Sequence, residues 1–149
     1  MKVGENAPDF ALEDQAGNHW RLSEKLGKPV VLLFYPADNT PVCTAQMCSV
    51  RDNWDAYSGL DAEVVGISTD DVESHAGFAT KHELPLTLLA DIDAKVSKLY
   101  GATSWIPGRS ARAVVVVDGE GRIAYHKVQS LSIFRPNDEE IVEAVRALG

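Results

Sequence analysis

At 149 residues, 45% hydrophobic and 24% charged, the chain has the size and make-up of one ordinary globular domain, expected to span residues 1–149. Fourteen Lys and Arg against twenty-two Asp and Glu give a net charge of −8 with no basic run, which argues against nucleic acid and anionic membrane surfaces as partners. The apolar runs Val30 to Tyr35 and Ala113 to Val117 are too short to cross a bilayer, and Met1 to Pro8 has no apolar signal core, so a cytoplasmic protein is expected.

In chain order, Phe10-Ala11-Leu12 and His19 to Leu22 flank the turn signal Gln15-Ala16-Gly17-Asn18 and predict an N-terminal hairpin. Ser23 to Leu26 reads as a helical turn closed by Gly27. Val30 to Tyr35 is an apolar, β-branched run and predicts a buried strand.

After it comes a helix start. Thr40 is a preferred N-cap residue, Pro41 takes the first helical position, and Cys43 falls in the first turn. Unpaired N–H groups and the macrodipole stabilise negative charge at such a place. The dipole is worth at most about 2 kcal/mol, so a reactive cysteine there also needs a cation beside it and an oriented electrophile.

Cys43, Met47, Val50, Trp54 and Tyr57 follow at spacings of four and three, the apolar stripe of one continuous helix facing the core. Cys48 lies about 140° round that helix from Cys43 and points away from the stripe. In a reducing compartment a bridge between the two cysteines would be transient and catalytic rather than structural.

Glu63 to Ser68 predicts a second buried strand. Asp70 with Glu73 forms a capping-box pattern before a helix running to about His82, with Val72, Ala76 and Ala79 on one side. Leu86 to Leu89 predicts a short strand. Asp91 to Tyr100 predicts a helix stopped by Gly101, with Val96, Leu99 and Tyr100 inward.

Trp105 to Arg109 reads as a loop. Ala111 to Val117 and Ile123 to Val128, joined through Asp118-Gly119-Glu120-Gly121, form the clearest hairpin. Asn137 with Glu140 starts a last helix with Ile141, Val145 and Leu148 inward. Strand–helix–strand followed by an antiparallel pair and a closing helix implies an α/β protein with a central mixed sheet flanked by helices. A thioredoxin-like fold is the simplest arrangement.

Pro36-Ala37-Asp38-Asn39-Thr40-Pro41-Val42-Cys43 matches Pro-x3-Thr-x2-Cys, and Cys48 stands five residues on. With Phe34-Tyr35-Pro36, Arg51-Asp52, Gly66-Ile67-Ser68, His75, Leu84-Pro85 and Tyr100-Gly101, the whole chain resembles the peroxiredoxins, in particular the bacterioferritin-comigratory or Q-type subgroup.

The resemblance implies a cofactor-free thiol peroxidase acting on hydrogen peroxide or organic hydroperoxides, with thioredoxin or a similar dithiol as reductant. It gives Cys43 the attacking thiolate, Thr40 a hydroxyl that touches thiolate and peroxide, and Pro36 the shield of the pocket. Cys48 becomes the resolving thiol and Arg112 the active-site cation, with Arg109 as the alternative arginine. It leans towards a monomer and leaves a dimer open. In two places this chain departs from the family: Ala113-Val114-Val115 replaces the usual Ser-Thr-Phe, and Met47 stands where a smaller residue is commoner.

Other readings stand beside this one. Thr40 would serve as a plain cap, Arg112 as a strand-end charge and Cys48 as a spectator. Metal binding would need ligands from His19, His75, His82 or His126, none near the cysteines in sequence, and the spacing is not that of zinc sites. His75 and His82 read as capping or packing residues. Cys-x4-Cys is the wrong spacing for a dithiol–disulfide oxidoreductase, and a non-catalytic redox-sensing or chaperone module is the third possibility.

Overall fold

The computed structural model describes residues 2–103, 110–129 and 138–148. Strand β1 is Ala11–Asp14, β2 His19–Arg21, β3 Val30–Phe34, β4 Glu63–Ser68, β5 Thr87–Ala90, β6 Arg112–Val117 and β7 Ile123–Gln129. Helix α1 is Pro41–Asp52, α2 Trp54–Ser58, α3 Val72–His82, α4 Lys95–Leu99 and α5 Asp138–Arg146, and a 3-10 turn covers Leu22–Glu24. The loop Trp105 to Arg109 and the capping residue Asn137 lie outside the described residues.

Among the described residues seven strands form one sheet in the order β2-β1-β5-β4-β3-β6-β7; that the sheet is mixed is what the alternation of strands and helices predicted. Parallel pairing joins β3 to β4 and β4 to β5, and β6 runs antiparallel to β3. The N-terminal hairpin is attached through β1, which pairs antiparallel with β5.

All five residues of β3 are buried, because both faces of this central strand are covered. Side chains alternate across a strand. Val31, Leu33 and Tyr35 therefore join Cys43, Met47, Val50, Tyr57, Phe78, Ile141 and Val145 on the side of α1, α2, α3 and α5. Val30, Leu32 and Phe34 join Phe10, Trp20, Val96 and Tyr100 on the other. The same parity in β6 sends Val114 and Val116 to the α1 side, so Arg112, two residues before Val114, is on that side as well.

Several boundaries differ from the pattern-based expectation. The stripe from Cys43 to Tyr57 is real, but two helices carry it. Asn53 breaks the run by donating its side-chain amide back to the Ser49 carbonyl at 2.8 Å and to Asp138 at 3.2 Å, competing locally with the helix. At α3 the cap is Asp71, whose carboxylate accepts from Ser74 N at 2.8 Å, while Asp70 is engaged elsewhere. The inner residues of α3 are His75 and Phe78.

The helix expected from Asp91 begins only at Lys95. Ala94 is left-handed at φ 60°, and the buried Asp91 carboxylate accepts the N–H groups of Val96 and Ser97. The shorter helix leaves Leu99 46% exposed. Leu148 lies past the end of α5 and is 39% exposed, so Val142 takes its expected place inside.

Gly66, in the middle of β4, sets how closely α1 packs. A Cβ there would lie 2.9 Å from Leu88 Cδ2, 3.2 Å from Tyr35 Cε1 and 3.7 Å from Met47 Sδ. Gly66→Ala is expected to lower unfolding free energy by about 1–3 kcal/mol in urea titration, through overpacking. A loss below about 0.5 kcal/mol would mean that these side chains move aside freely.

Candidate active site

Backbone geometry at the start of α1 follows the sequence signal. Thr40 is extended at φ −84°, ψ 150°, Pro41 opens the helix, and the Thr40 carbonyl accepts from Thr44 N at 2.8 Å. The Thr40 hydroxyl does not cap the helix. It donates to the Ala37 carbonyl at 3.2 Å, which leaves its lone pairs free to accept from a donor on the other side.

Cys43 and Cys48 are free thiols, Cys43 buried at 1% exposure and Cys48 half-buried. Arg112 enters from β6, equally buried at 1%, and its Nη2 donates to Cys43 Sγ at 3.1 Å. Its Nη1 donates to Gln46 Oε1. The β3–β6 register sets this meeting: Phe34 faces Ala113, so Arg112 lies just beyond the end of β3, where the chain turns into the Cys43 loop.

Of the residues expected at the site, the structure brings Cys43 and Arg112 into contact and places Thr40 and Pro36, both half-buried, on the adjoining loop. Arg109 lies outside the described residues. Gln46, one turn after Cys43, was not anticipated. A buried polar residue on an otherwise apolar helix face was the available signal.

A second polar group holds the same loop from behind. Asp38 accepts from Tyr35 Oη at 2.6 Å and Ser74 Oγ at 2.9 Å, and its Oδ2 lies 2.7 Å from His75 Nδ1. His75 Nε2 donates to the Leu89 carbonyl at 2.9 Å. Asp38 N donates to Asp70 Oδ2 at 2.7 Å, and Ser68 Oγ donates to the same oxygen at 2.6 Å. Burial, and then the Asp38 charge, hold the Tyr35 phenol well above its ordinary range, so it remains a donor.

Asp38, Asp70 and His75 bring three possible metal donors within 4.8 Å of one another. Both Asp38 oxygens and Asp70 Oδ2 accept from Tyr35, Ser74, Ser68 and the Asp38 amide, which makes the group a hydrogen-bonded knot. His82 packs edge-on against Phe78, and its carbonyl accepts from Arg51 at 2.8 Å.

A mixed sheet that presents a buried thiol in the first turn of a helix, against a buried guanidinium, defines a thiol-chemistry class of protein. The AhpC/TSA family model matches residues 3–126, and the chain belongs to that family, the peroxiredoxins. It is 48% identical over 126 residues to "Peroxiredoxin Q, chloroplastic" of Triticum aestivum, covering 84% of this chain and 58% of that protein. To the protein of the same name from Sedum lineare it is 48% identical over 119 residues, covering 79% and 64%. The chain thus spans about three-fifths of the length of these curated relatives.

Among solved structures, the crystal structure of peroxidoxin BcpB from Mycobacterium tuberculosis matches at TM-score 0.90 and 33% identity, covering 100% of this chain and 99% of that one. The reduced 2-Cys peroxiredoxin of Plasmodium vivax matches at TM-score 0.88 and 27% identity, covering 99% and 81%. The fold is the thioredoxin-like fold of this family.

One expectation is corrected. The curated relatives are named chloroplastic, and that finding overturns the cytoplasmic reading. The cytoplasmic expectation rests on the missing apolar signal core and on apolar runs too short to span a bilayer. Plastid transit segments are Arg- and Ser-rich and amphipathic, and neither criterion registers them.

Arg112→Met removes the cation beside Sγ. In a Cys48→Ser background it is expected to slow alkylation of Cys43 by iodoacetamide about tenfold or more at neutral pH. An unchanged rate would mean that the guanidinium does not activate the sulfur.

Proposed function

We propose that the chain is a cofactor-free thiol peroxidase that reduces hydrogen peroxide or organic hydroperoxides. The observation that carries this reading is the 3.1 Å contact between two buried groups, Arg112 Nη2 and Cys43 Sγ. A guanidinium there stabilises charge on sulfur before reaction and on the departing oxygen during it.

The Cys43 thiolate attacks the nearer peroxide oxygen. The O–O bond breaks, the far oxygen leaves as alcohol or water after taking a proton, and Cys43 becomes a sulfenic acid. Thr40 accepts a hydrogen bond from the hydroperoxide, the N–H groups of Val42 and Cys43 and the Arg112 guanidinium hold the reacting oxygens, and Pro36 limits access of water. Cys48 then attacks the Cys43 sulfur, water departs, and a disulfide remains. A thioredoxin-like dithiol reopens it by exchange.

The five-residue spacing makes a demand on α1. In an intact helix Cα atoms five residues apart are separated by about 8.7 Å, whereas disulfides need about 4.4–6.8 Å. The segment from Cys43 to Cys48 must therefore unwind to form the bridge.

The test mixes reduced protein with one equivalent of hydrogen peroxide and follows thiol loss beside glutathione, then non-reduced mass. Oxidation far faster than glutathione, ending two hydrogens lighter with both cysteines blocked, is expected. Cys48→Ser should still react once, and Cys43→Ser not at all. A wild-type rate no faster than glutathione would defeat the reading.

A further inference from the structure

We infer that Asp38 and His75 are positioning residues for the peroxide-binding wall of the site, acting through Thr40. The inference deepens the peroxidase reading and rests on it.

The helix that follows holds the loop Pro36 to Thr40 at its end, through the Thr40 carbonyl, while its middle is held from elsewhere. Asn39 sits in the left-handed region at φ 63°, an uncommon conformation for a residue other than glycine. Such a conformation persists only where the surroundings over-determine it. The surroundings are the bonds of the preceding residue. Asp38 is tied by its carboxylate to Tyr35, Ser74 and His75, and by its amide to Asp70, so one residue anchors the turn to β3, the end of β4 and α3.

The anchor is itself held. The carbonyl oxygen of Leu89 can only accept, so His75 Nε2 carries a hydrogen. The 2.7 Å contact between Nδ1 and Asp38 Oδ2 therefore contains one proton bridging the two side chains, which are 0% and 1% exposed. With both ring nitrogens engaged, the imidazole cannot rotate, and it fixes Asp38 relative to β5.

The consequence reaches the site through one short step. Thr40 Oγ1 donates to the carbonyl of Ala37, the residue before Asp38. The turn held by Asp38 thus decides where the lone pairs of Thr40 point. None of these bonds touches Cys43, whose sulfur is held by Arg112 from β6. The clamp therefore governs how a hydroperoxide is oriented and leaves the sulfur's own reactivity to Arg112.

That separation gives the test, made in a Cys48→Ser background so that one thiol reports. Two rates are measured: oxidation by hydrogen peroxide in single-turnover stopped flow, and alkylation by iodoacetamide, which needs no orientation by Thr40. Asp38→Ala is expected to slow oxidation about 10- to 100-fold while alkylation changes less than about threefold, the pattern of a lost near-attack geometry. Asp38→Asn keeps an acceptor for Tyr35 and offers an N–H to a singly protonated His75. It should restore oxidation to within about fivefold of the parent. Should Asp38→Ala not fold, His75→Gln, which loses the hold on Leu89, is expected to slow oxidation by about tenfold with alkylation preserved.

Oxidation at the parent rate in Asp38→Ala and His75→Gln overturns the inference, as does an equal fall of both rates, the mark of a merely structural role. A parent thiol no faster with peroxide than free cysteine overturns the peroxidase reading along with it. A fast parent with unaffected variants overturns this inference alone.

Discussion

A guanidinium and a sulfur, each buried to 1% exposure and 3.1 Å apart, are the pair on which the rest of the structure depends. Burying an arginine is costly unless its donors are met. Here Nη2 donates to Cys43 and Nη1 to Gln46, both on α1, so the burial of Arg112 and the placement of α1 are coupled. Parity along β6, the β3–β6 register and the close approach allowed by Gly66 all serve that placement.

The site is built in two parts with different attachments. One part is the Pro36 to Thr40 loop, tied to α3 and the ends of β4 and β5 through Asp38, Asp70 and His75. The other is α1, held at its start by Arg112 and at its far end by Asp138, which accepts from Ser49, Asn53 and Tyr57. The stretch from Cys43, which Arg112 holds, to Ser49, which Asp138 holds, contains both cysteines. A bridge between Cys43 and Cys48 asks this stretch to give way, and nothing in that demand requires the loop to move.

Much of this was legible in the sequence, for local reasons. Val30 to Phe34 and Glu63 to Ser68 form strands where β-branched runs predicted them, and Thr40-Pro41 starts α1 where capping rules place a helix N-terminus. What depends on side chains meeting across the fold was not legible. Arg112 reads as a strand-end charge until the register with β3 is known, and only family resemblance singled it out. His75 reads as a packing residue on α3. Its partner Asp38 is 37 positions away, and no local pattern links them. Asn53 breaks a helix that its apolar spacing continues, because its amide finds the Ser49 carbonyl. Leu99 and Leu148 were placed inside on helix periodicity, but α4 starts later and α5 ends earlier than the pattern suggested.

In the proposed mechanism, disulfide formation unwinds the start of α1 against a loop that stays in place. Amide hydrogen exchange, read residue by residue before and after oxidation with one equivalent of hydrogen peroxide, tests it most directly. Protection is expected to be lost from Ala45 to Cys48 while Asp38, whose amide donates to Asp70, and the α3 amides keep theirs. An oxidised, bridged protein with full helical protection through Ala45 to Cys48 would contradict it.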